Sequence, residues 1–131
     1  MNINPKPRII LVDDNRDIVS ILAGVFGLKG YEVYKAYAAD ECMNKIKEID
    51  GKVDVIFVDG KIAADRAALL IIKVKRINSN IHIVVLAEDE TDKTRVLEYG
   101  ADEFATKPVS AETVADKVTN VLLSKSRLQN K

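Results

Sequence analysis

Four charged residues each stand at or just beyond the end of an apolar run. Asp13 and Asp14 follow RIILV, Asp59 ends VDVIFVD, and Lys107, with Pro108, follows DEFAT. If these ends meet, three carboxylates and one ammonium share a site. Clustered carboxylates repel one another, and one lysine cannot neutralise three. A hard divalent cation can. Mg²⁺ takes oxygen ligands in an octahedron and is usually held by one or two carboxylates together with waters and a phosphate. A carboxylate beside it can act as a nucleophile and carry a phosphoryl group as an aspartyl phosphate. The metal and Lys107 would offset charge on the transferring oxygens. Taken singly, each residue is ordinary. Asp and Asn favour turns and helix N-caps, so Asp14 or Asn15 equally suits the start of a helix.

The elements that must bring these residues together are legible in the hydrophobic pattern. Strand-like runs at 8–13, 31–37, 53–59, 81–87 and 102–106 alternate with helical stripes. Ile18, Ile21, Leu22, Val25 and Phe26 form the first stripe, which stops at Gly30. Cys42, Ile46 and Ile49 mark the second, which ends near Gly51. Residues 66–77 carry the third, with Leu70, Val74 and Ile77 on one face, and a fourth runs to Tyr99 before Gly100. Val114, Val118, Val121 and Leu122 give the last, with Ser110 as N-cap and a polar tail, SKSRLQNK, expected to fray. Alternation of this kind predicts an α/β fold with a parallel sheet covered by helices on both faces. In such sheets ligands bind beyond the carboxyl ends of the strands, where strand order reverses. Asp13, Asp14, Asp59 and Lys107 all fall at those ends.

Composition narrows the chemistry. The chain has 131 residues, 47% hydrophobic and 31% charged, which suits one globular domain. Its formal net charge is zero, so no basic surplus argues for nucleic acid. Cys42 and His82 are the only residues of their types, which excludes an intrachain disulfide and a zinc site built on several cysteines or histidines. The segment MNINPKPR is polar, and no apolar run approaches the ~20 residues that span a bilayer. No membrane contact is expected, and the cytoplasm is the expected compartment.

The acidic pair in VDD, the strand-end acid of VIFVD and the segment GADEFATKP resemble the receiver domain of two-component response regulators. The resemblance extends from about residue 8 to residue 123 and implies a single receiver domain with flexible ends. It implies a flavodoxin-like fold of five parallel strands in the order 2-1-3-4-5. It also implies that Asp59 accepts a phosphoryl group from a sensor histidine kinase or phosphotransfer protein. Asp14 would bind Mg²⁺ directly, Asp13 would sit beside it and act through water, and the main-chain carbonyl of Lys61 would supply a further ligand. Lys107 would contact a phosphoryl oxygen, and the Lys107–Pro108 bond would be cis. Such a module is not an enzyme beyond self-catalysed phosphoryl transfer and autodephosphorylation. With no output domain after residue 123, the chain reads as a stand-alone receiver. It would signal to an unknown output protein through its fourth helix, fifth strand and fifth helix, and could form a homodimer. No direct DNA binding is expected.

Several positions depart from the family pattern. Ala87 stands where a threonine or serine is usual, so the hydroxyl that bonds the phosphoryl group is missing. Glu88 follows, where a small residue is usual, and the segment EDETDK is about two residues short. After Asp59, Ile62, Ala63 and Ala67 replace a Met-Pro pair and a glycine. Phe104 occupies the aromatic switch position, and equally suits an ordinary half-buried strand aromatic. His82 reads as a partly exposed edge residue, Cys42 as packed, and Lys93 and Arg95 as solvated helix charges. These departures raise a second reading, an interaction module independent of phosphorylation. A third, an aspartate-nucleophile phosphatase of the haloacid dehalogenase type, is weakened by Lys61. It stands where such enzymes place their second aspartate.

Overall fold

The computed structural model describes residues 6–61, 64–107 and 110–129, with the backbone alone described at 64–67 and 126–129. Strands β1 (Arg8–Val12), β2 (Glu32–Ala36), β3 (Val55–Asp59), β4 (His82–Ala87) and β5 (Glu103–Thr106) alternate with helices. The helices are α1 (Arg16–Leu28), α2 (Ala39–Glu48), α3 (Ala64–Ile77), α4 (Lys93–Glu98) and α5 (Ala111–Gln129). The strands form one parallel sheet in the order β2-β1-β3-β4-β5, the flavodoxin-like order implied by the resemblance. The Lys107–Pro108 bond, Ile62 and Ala63 lie outside the described residues, as does the side chain of Ala67.

The pleat sends successive side chains to opposite faces, and the central strands are apolar on both. Ile9, Leu11, Val55, Phe57, Val84 and Leu86 pack under α1 and α5. Ile10, Val12, Ile56, Val58, Ile83 and Val85 pack under α2, α3 and α4. All five residues of β3, including Asp59, are buried. Phe26 is fully buried and joins α1 to the sheet. Its ring stacks on Phe57 at 5.9 Å and meets Tyr31 at 6.3 Å. Phe26→Ala is expected to lower the unfolding free energy by about 3–5 kcal/mol, the usual cost of emptying a buried aromatic site. Urea titration followed by circular dichroism reads this directly.

The caps follow the sequence. Asn15 Oδ1 accepts hydrogen bonds from the Asp17 and Ile18 N–H groups at 3.1 and 3.2 Å, so Asn15 rather than Asp14 caps α1. Ser110 Oγ accepts from the Thr113 N–H at 3.1 Å at the start of α5. Gly100 takes φ +119° after α4, a conformation that residues with a Cβ rarely adopt. No helix among the described residues is long and apolar enough to cross a membrane.

Helix α5 continues into the polar tail, to Gln129. Within it, Lys125 donates from Nζ to the carbonyls of Asp54 at 2.9 Å and Asn80 at 2.8 Å. His82 begins β4 and is partly exposed, as expected, within a strand that lies between β3 and β5. Its Nε2 stands 3.5 Å from Glu103 Oε2. Cys42 is packed as expected, and burial pushes its thiol pKa up to about 12, which leaves it protonated and inert.

Candidate functional site

The site follows from strand order. From β1 the chain moves outward to β2, whereas from β3 it moves the other way to β4. The segments leaving the carboxyl ends of these neighbouring strands therefore part and leave a crevice. Asp13 and Asp14 lie at the end of β1, and Asp59 is the last residue of β3. Main-chain bonds draw the neighbouring ends together. Gly60 N–H donates to Leu86 O and Lys107 N–H to Ala87 O, each at 2.7 Å. Gly60 allows this close approach, since a Cβ there would come within 3.0 Å of Ala87 Cβ.

The predicted charges converge. One carboxylate oxygen from each of Asp13, Asp14 and Asp59 lies within 4.8 Å of the others. Asp59 is 3% exposed and Asp13 8%, whereas Asp14 is open to solvent. Lys107 Nζ donates to Asp59 Oδ1 at 2.9 Å and stands 3.9 Å from Asp13 Oδ2. Asp59 Oδ1 also accepts the Lys61 N–H at 3.2 Å.

An oxygen-only donor set suits a hard cation. One carboxylate oxygen from each of Asp13, Asp14 and Asp59 lies close enough to the others for a single ion to share them. The acidic cluster is therefore suited to hold a metal.

Burial is the main influence pushing the Asp13 carboxyl above its ordinary pKa of 3.8. The Asn15 N–H at 2.9 Å opposes it, the Asp59 charge reinforces it and the Lys107 charge opposes it. A raised carboxyl pKa means that the folded protein binds the proton more tightly than the unfolded chain does. Asp13's contribution to stability is therefore complete below about pH 3.8 and is lost as pH rises through the raised folded value. At neutral pH without metal, Asp13→Asn is expected to raise Tm by about 2–4 °C, a modest gain because solvent screens the crevice. The difference should vanish at low pH, and Mg²⁺ should stabilise the wild type more than the variant. Thermal melts across pH, with and without Mg²⁺, check this.

The departing positions are also placed. Ala87 is half-buried, its methyl group against Gly60. Glu88 reaches across to Lys61, with 3.2 Å between Oε1 and Nζ. Hydrogen bonding to Glu88, followed by its charge, pushes the Lys61 ammonium pKa up. Sequence reasoning noted Glu88 but missed the Lys61 side chain, because nothing local marks an exposed lysine as the partner of a distant loop. Phe104 is half-buried, opposite Val85 in register, and packs against the core on the α2–α4 face. Lys93 and Arg95 are exposed as expected. A separate cavity of about 700 Å³ opens at the other end of the sheet, lined in part by Asp54, His82, Glu103 and Lys125. It lies away from Asp59.

Residues 9–119 match the family described as the response regulator receiver domain. The chain belongs to that family. The receiver domain is 26% identical over 121 residues to the transcriptional regulatory protein AruR of Pseudomonas aeruginosa, covering 88% of this chain and 49% of that protein. It is thus about half the length of the curated relatives it matches. Among solved structures, it is similar to a response regulator receiver domain protein from Methanospirillum hungatei. The TM-score is 0.83 at 22% identity, with 94% of this chain and 98% of that one covered. It is also similar to a response regulator protein from Burkholderia pseudomallei solved with a phosphorylated aspartic acid, a calcium ion and citrate. There the TM-score is 0.74 at 24% identity, with coverage of 96% and 76%. At these identities the likeness bears on the fold.

Proposed function

We propose that this receiver domain accepts a phosphoryl group on Asp59 from a phosphohistidine of a sensor kinase or phosphotransfer protein, with Mg²⁺ in the acidic crevice. The observation that carries this reading is the meeting of Asp13, Asp14, Asp59 and Lys107 at the sheet's switch point. A fold kept only for protein interaction gains nothing from gathering like charges there.

A carboxylate oxygen of Asp59 attacks phosphorus as the phosphorus–nitrogen bond breaks. The imidazole nitrogen retains the bonding pair and takes a proton from solvent, and Asp59 becomes an acyl phosphate. Lys107 offsets charge on the transferring oxygens while orienting the carboxylate through Oδ1. The buried walls around Asp59 limit access of water. Asp13, Asp14, Asp59 and the Lys61 carbonyl would hold Mg²⁺, which supplies further positive charge to the phosphoryl oxygens. Lys61 stays protonated beside Glu88 and so cannot serve as the general base of a phosphatase.

Output would pass through α4, β5 and α5, where Leu97 and Tyr99 are 39% and 41% exposed. The test is incubation with Mg²⁺ and acetyl phosphate, followed by intact-mass measurement. One added phosphoryl group is expected. No adduct with any donor, together with no Mg²⁺ binding, would overturn the reading in favour of the interaction module.

A further inference from the structure

The crevice has a second cation that the phosphoacceptor reading leaves without a task. The Lys61 N–H is fixed on Asp59 Oδ1 at 3.2 Å, so this lysine is anchored beside the acceptor. Its ammonium lies 3.2 Å from Glu88, the first residue after β4. The pair therefore spans the loops that leave β3 and β4, on the side where Ala87 offers no hydroxyl. Lys61 also feels the charges of Asp59 and Asp14, on the same side of the mouth.

We propose that Lys61 is a phosphoryl-contacting residue that rests on Glu88 and exchanges it for the phosphoryl oxygens once Asp59 is modified. This rests on the phosphoacceptor reading. Side-chain exposures of 61% for Lys61 and 56% for Glu88 make the pair one that solvent screens and that exchanges readily. Lys107 is already committed to Asp59 Oδ1 and the neighbourhood of Asp13. Phosphorylation turns a singly charged carboxylate into a group of about two negative charges with three acceptor oxygens. Glu88 keeps its single charge, so the balance for Lys61 tips toward the phosphoryl group. Glu88 then loses its partner and is repelled by the new charge. It begins the segment that leads through the Thr91 N–H to Asp89 Oδ1 turn into α4. A hydroxyl at position 87 would draw this loop inward, whereas release of Glu88 loosens it. The sign of the response is thus opposite in the two mechanisms.

The experiment uses the full chain with Mg²⁺ and acetyl phosphate, comparing wild type, Glu88→Gln, Lys61→Met and Lys61→Arg. Intact mass comes first, and absence of the wild-type adduct overturns the phosphoacceptor reading and this inference together. Given an adduct, amide exchange in residues 88–92 should accelerate by about two- to fivefold in wild type, the scale an exposed ion pair supports. In Glu88→Gln and Lys61→Met that segment should exchange rapidly beforehand and change no further. Lys61→Arg should preserve the response. The phosphorus-31 resonance of the adduct should move in Lys61→Met and stay in place in Glu88→Gln, which a merely structural bridge would not produce. An adduct that leaves 88–92 unchanged or better protected, or a full response in Glu88→Gln, overturns the inference while leaving the phosphoacceptor reading intact.

Discussion

Asp59→Asn is expected to acquire no phosphoryl mass under conditions that label the wild type. The substitution keeps size and shape at a position 3% exposed. The amide oxygen still accepts the Lys61 N–H, so the β3 end keeps its local bond. What disappears is the nucleophile, because the amide is uncharged and its electrons are delocalised. The cluster also falls from three carboxylates to two, so Mg²⁺ affinity should drop, as a metal titration would show. Lys107 loses its 2.9 Å anion but keeps Asp13 nearby. A far-ultraviolet spectrum and a thermal melt establish that the fold persists. Undiminished labelling of this variant would place the acceptor elsewhere.

The second large effect is expected from Ala87→Thr. In the phosphorylated protein, the restored hydroxyl can donate to a phosphoryl oxygen. A hydrogen bond to a charged group contributes about 1.5–3 kcal/mol net. At ~1.4 kcal/mol per decade, the ratio of active to inactive forms should rise by roughly one to two decades. The Ala87 methyl group lies close to Gly60, where a Cβ would come within 3.0 Å of it, so the added atoms must point away from Gly60. The Ala87 carbonyl is already held by the Lys107 N–H at 2.7 Å, so the backbone beneath the new hydroxyl is fixed. Amide exchange across 87–107 should slow on phosphorylation in the variant, whereas the wild type lacks the hydroxyl that draws this segment inward, and the two should differ little without the adduct. An identical response in the two proteins would mean that the missing hydroxyl does not limit switching.

Most of the architecture is visible in the chain because burial leaves a periodic trace. Ile9 and Leu11 face one helical layer and Ile10 and Val12 the other, and this near-continuous apolar run marks a strand covered on both sides. The acids at the ends of β1 and β3 were legible for the same reason. Once the strands are parallel, their ends must share an edge. The Lys125 contacts were not legible, because periodic hydrophobicity ends near Leu122 and the partners are backbone carbonyls. Carbonyl partners carry no sequence signature.

The residue types of this chain by themselves determined the alternating α/β fold and the four charges brought to one end of its sheet. Tertiary structure alone decided that Asp13 is buried while Asp14 is open, that Asn15 takes the cap, and that Lys107 engages Asp59 Oδ1. It also decided that Glu88 turns to Lys61. The physical reason is that hydrophobic periodicity reports which face of an element is covered. A polar contact between loops instead depends on how neighbouring strands close on one another, here through Gly60 against Ala87 and Leu86.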